Sequence, residues 1–266
     1  MEVNKGFVIF LTENWLPIVS NLVDSVLLFS KYNIEINCIN FNHDFGNKRI
    51  KSNVIQLVNS DFFNITKCKI ISTIHSEFDI GLILDGDMIV TKDIDQIFSD
   101  NEDRIQKCEF PLFAKHPHNP VERWKHITST VSNSVNKMNW VYSNYLFTKE
   151  HKWFFIETLD YMNSIPENQH SFFYPVPEES ILNALLSKYQ VDYDLGYNYF
   201  PNGFKCVIEH YLDYNEDGKK HIEEGYLNYN CPIKYYAFHG HDIKNVEYGK
   251  NVVQQLLHKY NQTKDL

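Results

Sequence analysis

Residues 80–90 read Ile-Gly-Leu-Ile-Leu-Asp-Gly-Asp-Met-Ile-Val, and this stretch decides the fold. Ile80 to Leu84 is an unbroken apolar run too short for a buried helix, the pattern of a strand covered on both faces. It stops at Asp85-Gly86-Asp87, and Met88 to Val90 is extended again. Strands covered on both faces belong to sheets whose parallel crossovers are helical. The upstream sequence supplies those units. Gly6 to Leu11 is another continuous apolar run, broken at Thr12-Glu13-Asn14. From Trp15 to Phe29 the apolar residues Leu16, Val19, Leu22, Val23, Val26 and Leu27 recur at helical spacing, and Ile34 to Phe41 alternates as a strand. Phe62 to Ile74 reads as a second helix, with Ile65, Ile70, Ile71 and Ile74 on one side. Two β-α units therefore precede the acidic pair, and in open α/β sheets ligands bind outside the carboxyl ends of the strands.

The later sequence is more mixed. Asp93 to Phe98 predicts a short helix, Glu109 to Lys115 and Trp140 to Phe147 strands, Lys149 to Met162 and Glu178 to Tyr189 helices. Ile233 to Phe238 predicts a late strand and Val246 to Tyr260 a final amphipathic helix, whereas Gly196 to Gly225, rich in Tyr, Asn and Gly, receives no assignment. No repeat or linker interrupts the 266 residues, so the expectation is one α/β domain, an open mixed sheet flanked by helices.

Composition narrows the function. Acidic residues outnumber basic ones, 34 to 25, for a formal charge of −9, which argues against a nucleic-acid partner because a phosphate-backbone binder needs a basic stripe. Aromatic residues reach 15%, enough to fill a core and also to line a site that stacks on bases or sugar rings. Cys38, Cys68, Cys108, Cys206 and Cys231 are scattered with no CxxC pair, which suggests neither a zinc site nor a dense disulfide framework, and their odd number points to a reducing, cytoplasmic compartment. The apolar run near the N-terminus stops at Thr12, and no stretch predicts a transmembrane segment.

Asp85 and Asp87 carry the chemistry. Two carboxylates two apart, at the end of a buried strand, can face one cation across a tight turn, and Gly86 between them permits close approach of backbone or ligand. Hard carboxylate oxygens suit Mn²⁺ or Mg²⁺, ions that keep positions open for phosphate oxygens. The run Ile-Leu-Asp-Gly-Asp-Met-Ile-Val-Thr-Lys-Asp-Ile-Asp-Gln-Ile-Phe, residues 83–98, resembles the GT-A glycosyltransferases. It is most similar to the branch of glycogenin and the bacterial lipopolysaccharide galactosyl- and glucosyltransferases (family eight-like), with Asp85, Asp87, Val90, Asp95 and Phe98 on the motif positions. The resemblance implies a Rossmann-like GT-A domain over residues 1–266, a nucleotide-binding half of about 1–100 and an acceptor-side half of about 101–266. It implies a metal-dependent transfer of a sugar from a nucleotide-diphosphate donor, UDP-sugar by default, to a hydroxyl-bearing acceptor such as a glycan. Asp85 and Asp87 would hold Mn²⁺ against the diphosphate, with Asp85 also near the ribose.

Further landmarks of the resemblance follow in chain order. Thr12, Asn14 and Trp15 correspond to the nucleotide-binding loop, although Trp15 reads equally as a helix-start core residue. Lys69 falls near a basic position that contacts the donor, but as a helix residue it reads first as a solvated lysine, with Lys67 competing for the role. Tyr142-Ser143-Asn144-Tyr145 resembles the strand that lies against the donor sugar, with Asn144 as donor contact or strand-edge polar residue and Tyr145 where a small residue is common. Pro177-Glu178-Glu179-Ser180-Ile181-Leu182-Asn183 resembles a Pro-Asp-Gln-Asp-x-Leu-Asn helix start. There Glu178 would bind sugar hydroxyls and Glu179, in place of Gln, would lie near the reacting carbon as base, nucleophile or stabiliser of an oxocarbenium-like charge; both also suit helix capping. The anomeric outcome stays open, the branch itself being retaining. A late His239-Gly240-His241-Asp242-Ile243-Lys244 stands in for His-x-x-Gly-x-x-Lys, with His239 (alternate His241) as third metal ligand and Lys244 on the diphosphate. The prolines of Lys115-His116-Pro117-His118-Asn119-Pro120 suggest a rigid loop at the site rim.

Two other readings compete. A haloacid-dehalogenase-like phosphatase also uses a strand followed by Asp-x-Asp, but near its N-terminus and with Thr-Val or Thr-Leu after the second acid, where this chain has Met88-Ile89 after two β-α units. A non-catalytic, carbohydrate-binding GT-A-like module would have no need of Asp85, Asp87 and His239.

Overall fold

The computed structural model describes residues 3–90, 93–120, 139–174, 176–191, 235–237 and 246–264, without the side chains of 115–120, 139–140, 235–237 and part of the last helix. The described strands are β1 (Lys5–Thr12), β2 (Asn33–Ile39), β3 (Ile50–Ile55), β4 (Ile80–Ile83), β5 (Met88–Val90), β6 (Leu112–Pro120), β7 (Asn139–Thr148) and β8 (Tyr235–Ala237). The helices are α1 (Leu16–Phe29), α2 (Phe62–His75), α3 (Gln96–Ile105), α4 (Lys152–Ser164), α5 (Pro177–Tyr189) and α6 (Val246–Lys264), with 3₁₀ turns at Glu13–Trp15, Lys149–His151 and Glu167–Phe173. Contacts group these into two compact units, one of Met1–Glu13, Tyr32–Leu84 and Asp100–Gly196, the other of Asn14–Lys31, Asp85–Ser99 and Tyr197–Leu266.

The first unit is built on a six-stranded mixed sheet of order β3-β2-β1-β4-β7-β6. β1 pairs parallel with β2 and β4, and β2 parallel with β3, while β7 is antiparallel to both β4 and β6. The apolar runs in β1 and β4 arise because these strands are central and covered. The edge strands read differently: β3 is only half-buried, which is why Ile50–Ile55 shows no clear pattern in the sequence. β6, at the other edge, carries Pro117 and Pro120, so the expected loop at 115–120 is strand; an edge can dispense with the proline N–H. α2 packs on β1, β2 and β4, and α4 and α5 pack on α2, with α5 also against β7. Phe63, Phe113, Tyr145, Phe147, Phe154 and Phe155 are buried in one core, each aromatic contributing roughly 1.5–3 kcal/mol by burial. Gly81 is fitted to that core: a Cβ there would lie 2.3 Å from Phe147 Cζ on the paired strand.

In the second unit α1 packs against β5 and α6, and β5 pairs antiparallel with β8, Met88 opposite Ala237. Val90 N donates to Ser25 Oγ of α1 at 2.9 Å, and Asn21 Nδ2 to Val246 O at 3.2 Å. Asp95 closes the end of α1, accepting from Ser30 Oγ (2.5 Å) and Lys31 N (3.1 Å), which gives this motif aspartate a structural duty. α3 runs to Ile105 rather than stopping at Phe98, because Ile97, Phe98, Asn101 and Ile105 keep one face buried. No helix among the described residues is long and apolar enough to cross a membrane.

Candidate functional site

In the first unit, three elements bring a charged cluster together. α2 buries Thr66, Lys69, Ser72 and Thr73 beside Ile70, which is in the core as the isoleucine spacing suggested, whereas Ile65, Ile71 and Ile74 of that side are only half-buried. The hydroxyls are satisfied within the helix, Ser72 Oγ donating to Cys68 O (2.6 Å) and Thr73 Oγ1 to Lys69 O (3.0 Å). Lys69 is 0% exposed, which overturns its reading as a solvated lysine. Its ammonium donates to Ser143 Oγ of β7 at 2.6 Å, lies 3.9 Å from Glu178 Oε1 of α5, and sits 6.0 Å from the Phe10 ring centre. Ser143 Oγ in turn donates to Glu178 Oε1 at 3.3 Å. A buried ammonium is tolerated because donor, hydroxyl and carboxylate form a chain of charge-assisted bonds. The competing Lys67 is half-buried over the Phe63 ring, and burial pulls its pKa down against the carboxylates of Asp61 and Glu167.

α5 is positioned by its side chains acting as a substitute strand. β4 ends at Ile83, its pairing with β7 running only from Thr148 to Leu146, and the β6–β7 register shifts between Phe113 and Lys115. Along the upstream part of β7, Val141 N donates to Asn183 Oδ1 (2.8 Å), Asn183 Nδ2 to Val141 O (2.8 Å), and Ser143 N to Glu179 Oε2 (3.2 Å). Residues four apart on a helix advance about 6 Å, and alternate residues of a strand about 6.8 Å, so Glu179 and Asn183 match Ser143 and Val141. Asn183 also ties Glu179, Nδ2 to its carbonyl at 2.8 Å. In the sequence Asn183 stands only as the last residue of the helix-start motif; its position four residues after Glu179 is the signal for this role. Glu178 is 7% exposed and Glu179 half-buried, and burial, then the Glu179 carboxylate, push the Tyr142 phenol well above its ordinary range. Asn144 is buried on the opposite face of β7. Tyr145 shares the Ser143 face but is core, stacked on Phe155 with its hydroxyl 2.8 Å from Thr73 Oγ1. Thr12, at the end of β1, is half-buried.

In the second unit the acidic pair follows directly after β4. Leu84 N still bonds Val8 O (3.0 Å), extending the β1–β4 ladder by one residue, so Asp85 is the next residue beyond it. Asp85, Gly86 and Asp87 are half-buried. An added Cβ on Gly86 would stand 2.8 Å from Val19 Cγ2 and 3.8 Å from Trp15 Cε3, so the glycine first of all lets α1 approach the turn. Trp15 is half-buried there and Asn14 exposed. β5 begins immediately after Asp87, and its Met88 is the register partner of Ala237, two residues before His239 in the sequence. His239, His241 and Lys244 lie outside the described residues, as do Cys206, Cys231 and Gly196 to Gly225. Among the described residues no group of three or more His, Cys, Asp or Glu is arranged to hold a metal.

A parallel four-strand block led by two β-α units, an Asp-x-Asp turn after the fourth strand, and antiparallel β7 and β6 beyond it define a GT-A α/β fold. Solved structures of that fold match nearly the whole chain. The galactosyltransferase LgtC is similar as an active-site Gln-to-Glu mutant, with 14% identity, TM-score 0.61, and 94% of this chain and 95% of that chain covered. It is similar again in complex with donor and acceptor sugar analogues, with 12% identity, TM-score 0.57 and the same coverage. The apo form of the glycosyltransferase GlyE of Streptococcus pneumoniae aligns at 16% identity and TM-score 0.52, over 96% of this chain and 64% of that one. No family model and no curated protein matches the sequence. At these identities the likeness is one of fold.

Proposed function

We propose that this chain is a metal-dependent glycosyltransferase, a single GT-A domain moving a sugar from a nucleotide-diphosphate donor, UDP-sugar first among them, to a hydroxyl of a glycan acceptor. The observation that carries the proposal is the half-buried Asp85-Gly86-Asp87 turn directly after β4 in a fold of GT-A type. Its hard, adjacent carboxylates fit Mn²⁺ or Mg²⁺, and the Met88–Ala237 pairing supports His239, with His241 the alternate, as the third donor. A bound cation there supplies Lewis-acid stabilisation of the departing nucleotide diphosphate.

The chain's own residues do the rest. Thr12, Asn14 and Trp15 bind the base and ribose, Asp85 reaches the ribose as well, and Lys244 neutralises the diphosphate. Glu178 orients the sugar through its hydroxyls, its Oε1 held by Ser143 with Lys69 behind it, and Asn144 contributes a further donor contact. Glu179, steadied by the Ser143 N–H, presents a fixed carboxylate toward the charge that develops on the anomeric carbon. The free Cys38, Cys68 and Cys108 suit a cytoplasmic setting.

The test is donor hydrolysis by purified protein with Mn²⁺ and a panel of UDP-, GDP- and dTDP-sugars, following released nucleotide with and without EDTA. Metal-dependent release from one donor, lost in Asp85→Ala and Asp87→Ala with the fold retained, is the expected result. No release from any donor, together with no thermal shift by UDP and Mn²⁺, overturns the proposal. Proton NMR of the product anomer then reads retention or inversion.

A further inference from the structure

The 3₁₀ segment Glu167–Phe173, which precedes α5, lines a surface cavity of about 550 Å³ in the first unit. That volume lies within the range of small-molecule sites. The cavity shares no residue with the cluster of Lys69, Ser143, Glu178 and Glu179.

The segment is two-sided. His170 and Phe173, three apart and so on one side of a 3₁₀ turn, face inward. The His170 imidazole stacks on Phe63 at 3.9 Å between ring centres, Phe173 meets the same ring at 6.1 Å, and Ser180 Oγ holds Phe173 O at 3.5 Å. The outward side presents Asn168, Gln169, Ser171 and Phe172, all exposed, above a floor of Tyr161 and Ile165. The Phe172 ring is 46% exposed and set edge-on against Phe173 at 5.4 Å. Among the described residues no carboxylate and no cation lines this cavity. A held aromatic face beside two planar amides and a hydroxyl offers an apolar platform together with neutral donors and acceptors. A sugar ring, with one C–H face and a rim of hydroxyls, has the complementary surface, whereas a charged ligand would find no counter-charge among the described lining residues.

We propose that this cavity is a second carbohydrate subsite that binds a neutral oligosaccharide through Phe172, Gln169 and Asn168. The choice of a glycan among neutral ligands rests on the transferase reading, but binding is measured without turnover. The experiment is saturation-transfer NMR on the full chain with cellohexaose, maltohexaose and a neutral hexapeptide of Gly, Ser, Asn and Gln. At least one hexaose is expected to bind, with affinity falling at least about tenfold in Phe172→Ala and measurably in Gln169→Ala. Both variants should keep the wild-type thermal midpoint and the wild-type donor hydrolysis. Absence of hexaose binding, binding unchanged in both variants, or capture of the peptide alone overturns the subsite. Hexaose binding with neither donor hydrolysis nor a thermal shift by UDP and Mn²⁺ would sink the transferase reading and leave the subsite standing; hydrolysis without hexaose binding does the reverse.

Discussion

Lys69→Met should expose how the first unit supports its charged cluster. Met keeps the length of the lysine stem in a fully buried position, so the cavity contribution is small. What is lost is the 2.6 Å bond to Ser143 Oγ and the ammonium 3.9 Å from the Glu178 carboxylate. Removing one partner of a buried ion pair costs about 3–5 kcal/mol, and because the contact with Glu178 is long and shared with Ser143, about 3 kcal/mol is expected. With a urea dependence of about 3 kcal/mol/M, the unfolding midpoint falls by about 1 M. Glu178→Gln removes the charge that the lysine serves, so the double variant Lys69→Met/Glu178→Gln should be more stable than the sum of the single losses, with a coupling of about 1–2 kcal/mol. The assay is urea denaturation of the ligand-free chain followed by intrinsic fluorescence. A midpoint shift below about 0.3 M for Lys69→Met, or simple additivity in the double variant, refutes the reasoning.

Asn183→Ala strips the side chain that bonds both the N–H and the carbonyl of Val141; we expect a loss of about 2–4 kcal/mol and faster hydrogen exchange at the Val141 amide. Gly81→Ala drives a Cβ to 2.3 Å from Phe147 Cζ, so calorimetry should show a destabilisation of about 2–3 kcal/mol, relieved in part by Phe147→Leu. His151 accepts from Thr148 N through Nδ1 (3.1 Å) and so donates through Nε2 to Cys108 O (3.0 Å), a neutral tautomer, and burial lowers its pKa against the smaller upward pulls of Cys108 O and Glu150. A His with a depressed folded pKa stabilises fully above its unfolded value of about 6.5, and the contribution is lost as pH falls from there toward the folded value. Urea midpoints measured between about pH 7 and 5 should therefore fall more steeply for wild type than for His151→Gln; parallel profiles would remove His151 as the cause.

The central elements were legible because burial on both faces leaves its own mark. β1 and β4 read as continuous apolar runs, α1 as a helical stripe, and the Asp85-Gly86-Asp87 break after β4 as the end of a strand. α3 could have been followed further, since Ile97, Phe98, Asn101 and Ile105 keep helical spacing past the polar residues between them. β3 lacked a signal because an edge strand is half-exposed, and Pro117 and Pro120 read as loop residues because local preference does not reveal that their strand lies at the sheet edge.

The amino-acid sequence by itself determined the β-α units, the acidic turn at the end of a buried strand and the order of the motifs, all features set by neighbours a few residues apart. Only the tertiary structure decided that Lys69 is buried, that Tyr145 belongs to the core, and that Glu179 and Asn183 dock α5 onto β7. Each of these depends on partners far along the chain: Lys69 meets Ser143 across 74 positions, Tyr145 meets Thr73 across 72, and Glu179 meets Ser143 across 36. A lysine on a helix has the same local sequence whether it faces water or a carboxylate. Its surroundings are chosen only when the sheet brings β7 and α5 against it, because the energy of a buried charge lies in partners that periodicity does not reveal.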